Sequence, residues 1–133
     1  MLGLQGKVAF VFGVASEDSI AWGICKSLAE AGVTLYLGYQ KRFMSRVFKL
    51  KDELDAIEGF YRLDVIGDET TAEFFSAFAK DHPGVKADIL IHAIGFAPRG
   101  CFDRPVIFVE DQDLNTALTV SAHSLQRCVR HAL

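Results

Sequence analysis

The sequence lacks the features that mark several large functional classes. It has only three cysteines and no Cys-x-x-Cys pair, so neither a disulfide framework nor a common zinc motif is present. No apolar run approaches the roughly 20 residues that span a bilayer, and we expect no membrane partner. The net charge is -3 and no long basic block occurs, which argues against a nucleic-acid partner. The segment Met1–Lys7 has no signal-peptide pattern, so we expect a cytoplasmic protein.

Apolar segments of strand length alternate with segments of helical periodicity. The predicted strands are 7–12, 33–37, 59–63 and 87–93, and the predicted helices are 19–31, 42–56, one that residues 68–71 could cap and one from about residue 111 onward. The last helix is expected to have a continuous face made of Leu114, Leu118, Ser121, Leu125, Cys128 and Ala132. This alternation favours an α/β fold, a Rossmann-like doubly wound parallel sheet with strand order 3-2-1-4. Residues 1–133 would then form one dinucleotide-binding domain.

The turn between the first strand and the first helix carries the most information. It begins at Gly13 and continues through small residues to Ser19, where the helix is predicted to begin. Small residues let the backbone approach a pyrophosphate, and a helix N-terminus presents free N–H groups to that anion. The pattern therefore predicts a phosphate-binding turn, although its spacing differs from the usual Gly-x-Gly-x-x-Gly.

A second unusual segment follows the fourth strand. The stretch from Gly95 to Pro105 is rich in glycine and proline and is typical of a functional loop. In the predicted strand order, strands one and four are neighbours at the topological switch point, where ligands bind to such sheets. We therefore expect both turns to lie at one crevice.

These segments together resemble those of the bacterial enoyl-acyl carrier protein reductases, a divergent branch of the short-chain dehydrogenase/reductase superfamily. The resemblance rests on the string from Gly13 to Ile24, on Tyr39-Gln40, on Asp64-Val65 and on the segment His92–Pro98, in that order along the chain. It implies an NADH-dependent enzyme that reduces trans-2-enoyl-acyl carrier protein in fatty acid biosynthesis. It also implies that the complete protein is a homotetramer.

The resemblance assigns a role to individual positions. The implied cofactor-binding residues are Gly13, Val14, Ala15, Ser19, Ile20, Gln40, Asp64, Val65, Ala93, Ile94 and Gly95, and the implied substrate-binding residues are Phe96 and Ala97. Asp64 and Val65 would hold the adenine, and Ser19 and Ile20 would meet the pyrophosphate. Many relatives carry a serine where this chain has Ala93, so a hydroxyl contact would be lost there while a backbone contact would remain.

Several of these residues also have a purely structural interpretation. Asp64 could cap N–H groups of its own turn, and Ser19 could cap the first helix. His92 lies in an apolar strand, where a histidine is more often a hydrogen-bonded core residue than a catalyst. Cys25 and Cys128 are expected to be packing residues of helices and not nucleophiles. The histidines are scattered and show no metal-ligand spacing, so we predict no metal site.

The choice between NADH and NADPH is only partly encoded in the sequence. An acidic residue at the end of the second strand would favour NAD, but this segment has none. The pair Tyr39-Gln40 resembles NADH-using members, whereas Lys41 and Arg42 could neutralise the 2′-phosphate of NADPH. We expect NADH and keep NADPH as the alternative.

The residues expected to carry the chemistry are absent. The resemblance implies a Tyr-x-x-x-x-x-x-Lys pair beyond a fifth strand, but no tyrosine of this chain has a lysine seven or four positions later. We therefore predict no catalytic residue, a sheet truncated before the fifth strand, and a chain that is inactive alone. The alternatives are a non-catalytic nucleotide-binding or interaction module, an ordinary superfamily reductase and a methyltransferase; the turn sequences disfavour the last two.

Overall fold

The chain forms one four-stranded parallel sheet with helices on both faces. The computed structural model describes residues 3–133; Met1 and Leu2, with which the predicted domain begins, lie outside them. The strands are β1 (Val8–Phe12), β2 (Thr34–Tyr39), β3 (Ile57–Arg62) and β4 (Ile89–His92), and all pair in parallel in the order β3-β2-β1-β4. The predicted Rossmann-like α/β fold and strand order are confirmed.

Within residues 3–133, five α-helices connect and follow the strands. They are α1 (Ile20–Glu30), α2 (Met44–Lys49), α3 (Asp68–Asp81), α4 (Asp111–Leu118) and α5 (Ser124–Ala132). A π-helical segment, Thr119–His123, joins α4 to α5 without a break in the helical path. None of the helices within residues 3–133 is long and apolar enough to cross a membrane.

The central strand β1 explains why the sheet is covered on both faces. Side chains alternate along a strand, so Ala9 and Val11 face one layer while Phe10 and Phe12 face the other. The first layer contains α1 and α2 and is anchored by Trp22, which is buried. The second layer contains α3 and α5, and its rings include Phe10, Phe12, Phe74, Phe75 and Phe78. A strand buried on both faces is continuously apolar, as this one is.

The predicted helix 42–56 is wrong in extent. The α-helical part is only Met44–Lys49, and 3-10 turns flank it at Lys41–Phe43 and Leu50–Glu53. The end of the predicted helix is instead bonded to the sheet. The Leu35 N–H of β2 donates to the Ala56 carbonyl at 2.8 Å, and β3 begins at Ile57 instead of Gly59. Pairing with β2 therefore extends to Ala56, a residue that helical periodicity had assigned to the helix.

Two further sequence expectations require correction. Gly67 occupies the N-cap of α3, so Asp68–Thr71 form its first turn instead of capping it. On the last helix, the expected continuous inner face included Leu114, Leu118 and Leu125, yet these are 44%, 45% and 44% exposed. Cys128 of that face is buried as expected, but Val120 and Ser124 are buried in place of the leucines, because the π-helical segment adds a residue to the turn and rotates the face that packs on the sheet.

Candidate functional site

The turns after β1 and β4 lie side by side, as the strand order predicts. The Ala93 N–H donates to the Phe12 carbonyl at 2.9 Å, which continues the β1–β4 pairing into the turn. Gly13 has φ +108°, and a β-carbon there would overlap the Ala93 carbonyl oxygen. Only glycine fits this position, because both the backbone angle and the close approach exclude a side chain.

A cleft of about 250 Å³ opens above these turns at the carboxyl ends of the strands. Of the predicted site residues, nine line it: Gly13, Val14, Ala15, Gln40, Val65, Ala93, Ile94, Gly95 and Phe96. An adjoining cleft shares Gln40, Val65 and Phe96 with the first and adds Asp64. The structure therefore brings ten of the thirteen predicted residues to one edge of the sheet, where open α/β sheets bind ligands.

Ser19, Ile20 and Ala97 do not line either cleft. Ser19 occupies the N-cap position of α1, but its hydroxyl donates to the Ser16 carbonyl at 2.7 Å instead of accepting a helix N–H. The expectation that the Ser19 side chain caps the helix is therefore wrong. Ile20 is 82% exposed at the first position of the helix.

The β3–α3 loop (residues 63–67) is fixed by its own side chains. Asp64 Oδ1 accepts the Ile66 N–H at 3.1 Å, so the turn-capping interpretation of Asp64 is confirmed. The hydroxyl of Thr71 donates to the carbonyl oxygens of Asp64, at 3.4 Å, and Gly67, at 2.6 Å. The other carboxylate oxygen, Oδ2, takes no hydrogen bond from the described residues, which leaves a free acceptor.

His92 is a hydrogen-bonded residue of the second layer. Its Nε2 lies 2.7 Å from the Ser124 hydroxyl, and that hydroxyl donates to the Val120 carbonyl at 2.7 Å. Since the serine proton is used there, His92 must donate from Nε2. Burial lowers the pKa of His92, which favours its neutral form. The structural interpretation of this histidine is therefore confirmed.

Basic residues surround the outer end of the cleft. Lys41, Arg42 and Arg62 line the adjoining part, and all three are exposed. The Arg42 Nε donates to Gln40 Oε1 at 2.9 Å, and the guanidinium lies 4.6 Å from the centre of the Phe43 ring. This end can therefore hold an anionic or polar group, and within residues 3–133 no group of three or more potential metal ligands occurs.

Sequence reasoning missed part of the cleft wall. Phe43, Leu63 and Val120 line the cleft without belonging to any predicted motif. Val120 comes from the π-helical segment, far along the chain, and no local pattern marks it. Ser121, in the same segment, is bonded to both backbone groups of Phe96 and had been predicted only as part of a helix face.

Comparison with known proteins identifies the family. The profile described as Enoyl-(Acyl carrier protein) reductase matches residues 13–133. The chain is 36% identical over 131 residues to the enoyl-(acyl-carrier-protein) reductase (NADH) FabI of Neisseria meningitidis, covering 97% of this chain and 49% of that protein. It is 32% identical over 136 residues to the NADPH enzyme FabI of Staphylococcus aureus, covering 96% of this chain and 52% of that protein.

A solved structure gives the same result. The Bacillus cereus enoyl-acyl carrier protein reductase, determined with NADP+ and indole naphthyridinone, superposes with a TM-score of 0.89 at 33% identity, covering 97% of this chain and 50% of that one. The chain spans about half the length of the curated relatives it matches. With its sheet order, its two adjoining turns and these similarities, the chain belongs to the enoyl-acyl carrier protein reductase family.

Proposed function

We propose that this chain is the cofactor-binding half of an NADH-dependent reductase that acts on trans-2-enoyl-acyl carrier protein in fatty acid biosynthesis. The observation that carries the proposal is the junction of Gly13 and Ala93, where two turns meet with no room for a side chain. Such a cradle suits a ligand that must approach the backbone closely, as a dinucleotide does.

Unused backbone donors support binding of a pyrophosphate. The N–H groups of Ile20 and Ala21, in the first turn of α1, have no acceptor within residues 3–133. Together with the helix dipole they would attract the anion, while Gly13, Val14 and Ala15 would lie along the adjoining ribose and pyrophosphate. This gives Ile20 a role through its backbone and not through its side chain. Ser19 would meet the anion only by its place at the N-cap, because its N–H donates to the Ser16 carbonyl at 3.1 Å.

The β3–α3 loop offers an arrangement complementary to adenine. The free Oδ2 of Asp64 is an acceptor, and the Val65 N–H has no acceptor among the described residues. An acceptor beside a donor matches the amino group and the neighbouring ring nitrogen of adenine. Gln40 would lie at the adenosine ribose, and Ala93, Ile94 and Gly95 would run beneath the second ribose and the nicotinamide.

The bound nicotinamide would supply the hydride for the β-carbon of the enoyl thioester. This chain would hold and orient the nicotinamide, and Phe96 and Ala97 would lie at the edge where the acyl group binds. The Tyr-x-x-x-x-x-x-Lys pair that would stabilise an enolate is absent from the sequence. We therefore propose that the 133-residue chain binds cofactor without turnover. Oxidation of NADH by the pure chain in the presence of crotonyl-coenzyme A would contradict this.

The preference for NADH is a proposal supported by the engagement of Arg42. Its Nε donates to Gln40 and its guanidinium lies on Phe43, so this cation is already engaged and is less free to neutralise a 2′-phosphate. The end of β2 carries no acidic residue, so the proposed preference does not come from repulsion of that phosphate. Relatives named for NADH and for NADPH are both similar to this chain. Titrations of the chain with NADH and with NADPH compare the two affinities, and tighter binding of NADPH would reverse the proposed preference.

A fluorescence titration with NADH tests the proposed function directly. The parent chain should bind, and Asp64→Ala should weaken binding about tenfold by removing a charged acceptor. Asp55→Ala is the matched control, because Asp55 is exposed and lies away from the cleft. Failure of the folded parent chain to bind either cofactor would overturn the proposal.

The remaining expectations concern the complete protein. We propose that residues 1–133 form one dinucleotide-binding domain, and that the complete protein is a cytoplasmic homotetramer with enoyl-acyl carrier protein as its substrate. Light scattering on the complete protein tests the tetramer, and a monomer would contradict it.

A further inference from the structure

Helix α5 holds the β3–α3 loop through a single guanidinium. The NH1 nitrogen of Arg127 donates to the carbonyl oxygens of Val65 and Ile66, each at 3.1 Å. These residues are 62 and 61 positions apart in sequence from Arg127. The side chain is half-buried, so these bonds are shielded in part from water.

The carbonyl groups of residues 64–67 in this loop are all engaged by side chains. Those of Asp64 and Gly67 accept from Thr71, which belongs to the adjacent helix α3. Those of Val65 and Ile66 depend on Arg127, which belongs to a different helix and carries a charge. The two central carbonyls therefore point towards α5, and the peptide planes between them are fixed by Arg127.

Fixing these planes also fixes the groups on the opposite side of the backbone. A peptide unit is planar, so a carbonyl held towards α5 sets the direction of the N–H group in the same plane. The Val65 carbonyl shares its plane with the Ile66 N–H, which in turn donates to Asp64 Oδ1 at 3.1 Å. Arg127 thus acts on the orientation of the Asp64 carboxylate without touching it.

A second attachment holds the start of α3 nearby. Arg130 and His131 both bond Asp68 Oδ1, and these hydrogen bonds hold the pKa of Asp68 below its ordinary value. This cluster is exposed and bonds a side chain beyond the loop. The contacts of Arg127 differ because they reach the backbone of the residues that line the cleft.

We infer that Arg127 is a positioning residue for adenine recognition, which holds the Asp64-Val65 pair in the orientation that receives the base. The inference rests on the proposed cofactor site. It predicts that Arg127 affects ligands that contain adenine and leaves the nicotinamide end of the cleft unchanged.

The test compares Arg127→Met with the parent chain, using NADH, AMP and reduced nicotinamide mononucleotide as ligands. Methionine keeps the apolar stem and removes the donors. We expect affinity for NADH and AMP to fall about tenfold, as for the loss of charged hydrogen bonds. Affinity for the mononucleotide should stay within about twofold, because that ligand does not reach the loop. Arg127→Lys restores a cationic donor and should recover most of the lost affinity.

Lys80→Gln is the charge-matched control, since Lys80 is exposed at the far end of α3. If Arg127→Met does not fold, Arg127→Leu, which also removes the donors, replaces it in the same comparison. Equal loss for all three ligands would assign Arg127 a general structural role and overturn the inference, as would unchanged AMP affinity. Absence of AMP and NADH binding by the parent would instead overturn the proposed function, and the inference with it.

Discussion

Ser121 and Phe96 exchange two hydrogen bonds at the mouth of the cleft. The Ser121 hydroxyl accepts the Phe96 N–H at 3.0 Å and donates to the Phe96 carbonyl at 3.0 Å. Phe96 follows β4 and lines the cleft, whereas Ser121 belongs to the π-helical segment. A short side chain at an irregular turn of helix therefore fixes the loop at the proposed substrate edge, and π-helical turns often occur at such places.

Replacing Ser121 by alanine should release this loop without unfolding the chain. Two neutral hydrogen bonds, each worth about 1 kcal/mol, would correspond to roughly 30-fold faster hydrogen exchange at the Phe96 amide. Amide exchange followed by NMR measures this. Ser76→Ala is the control, because Ser76 is exposed on α3 and makes no side-chain hydrogen bond among those of residues 3–133. Unchanged exchange at Phe96 in Ser121→Ala would contradict the prediction.

Gly13→Ala should destabilise the chain and abolish cofactor binding. The new β-carbon would overlap the Ala93 carbonyl, and φ +108° is strained for any other residue. We expect the free energy of unfolding to fall by about 2 kcal/mol or more. Urea denaturation measures the first effect, and NADH titration under native conditions measures the second.

The opposite result is expected at Gly23, which provides the matched control. It lies inside α1, and a β-carbon there would meet nothing within 4 Å. Gly23→Ala should therefore raise the free energy of unfolding, by up to about 1 kcal/mol, through better helix propensity. An equal change in the free energy of unfolding for the two variants would contradict the close approach of Gly13 to Ala93.

The fold was predictable because its local patterns agree with its global arrangement. The apolar run at β1 and the glycine turn that follows it define a strand and a turn without reference to the rest of the chain. Parallel pairing and right-handed crossovers then leave few strand orders. The same reasoning put Gly13 and Ala93 at one edge of the sheet, where they are in contact.

Other parts of the site depend on contacts that no local pattern contains. No sequence pattern distinguishes Arg127 from other charged helical residues, yet it bonds a loop about sixty positions away. Val120 faces the cleft only because the π-helical segment rotates the last helix. The short α2 had the periodicity of a longer helix, but pairing of β3 with β2 determined where it ended.

Stability should decrease as the pH falls below the ordinary pKa of histidine, and His92 should account for part of the change. Burial lowers the pKa of His92 from 6.5, so the unfolded chain binds a proton more readily than the folded one. The free energy of unfolding is then fully retained above about pH 6.5 and falls as the pH drops towards the pKa of the folded state.

Urea unfolding at pH 7.5 and 5.5 measures the effect, with His92→Gln as the comparison. Glutamine keeps an N–H donor for the Ser124 hydroxyl but does not titrate. The other histidines contribute equally to both proteins, so the difference between the two pH slopes belongs to His92. Equal slopes would show that its burial does not affect folding in this range.

The three thiols should react in a fixed order. Cys25 and Cys128 are 0% exposed, and burial raises the pKa of Cys25 to about 12 and that of Cys128 to about 11. Because the thiolate is the reactive form, both should be inert to an aromatic disulfide reagent at pH 8. Cys101 is only half-buried, in the loop after β4, and should react first. We expect one fast thiol in the folded chain, none in Cys101→Ser, and three in urea. Rapid reaction of two or more thiols in the folded parent would show that the helices carrying Cys25 or Cys128 open readily.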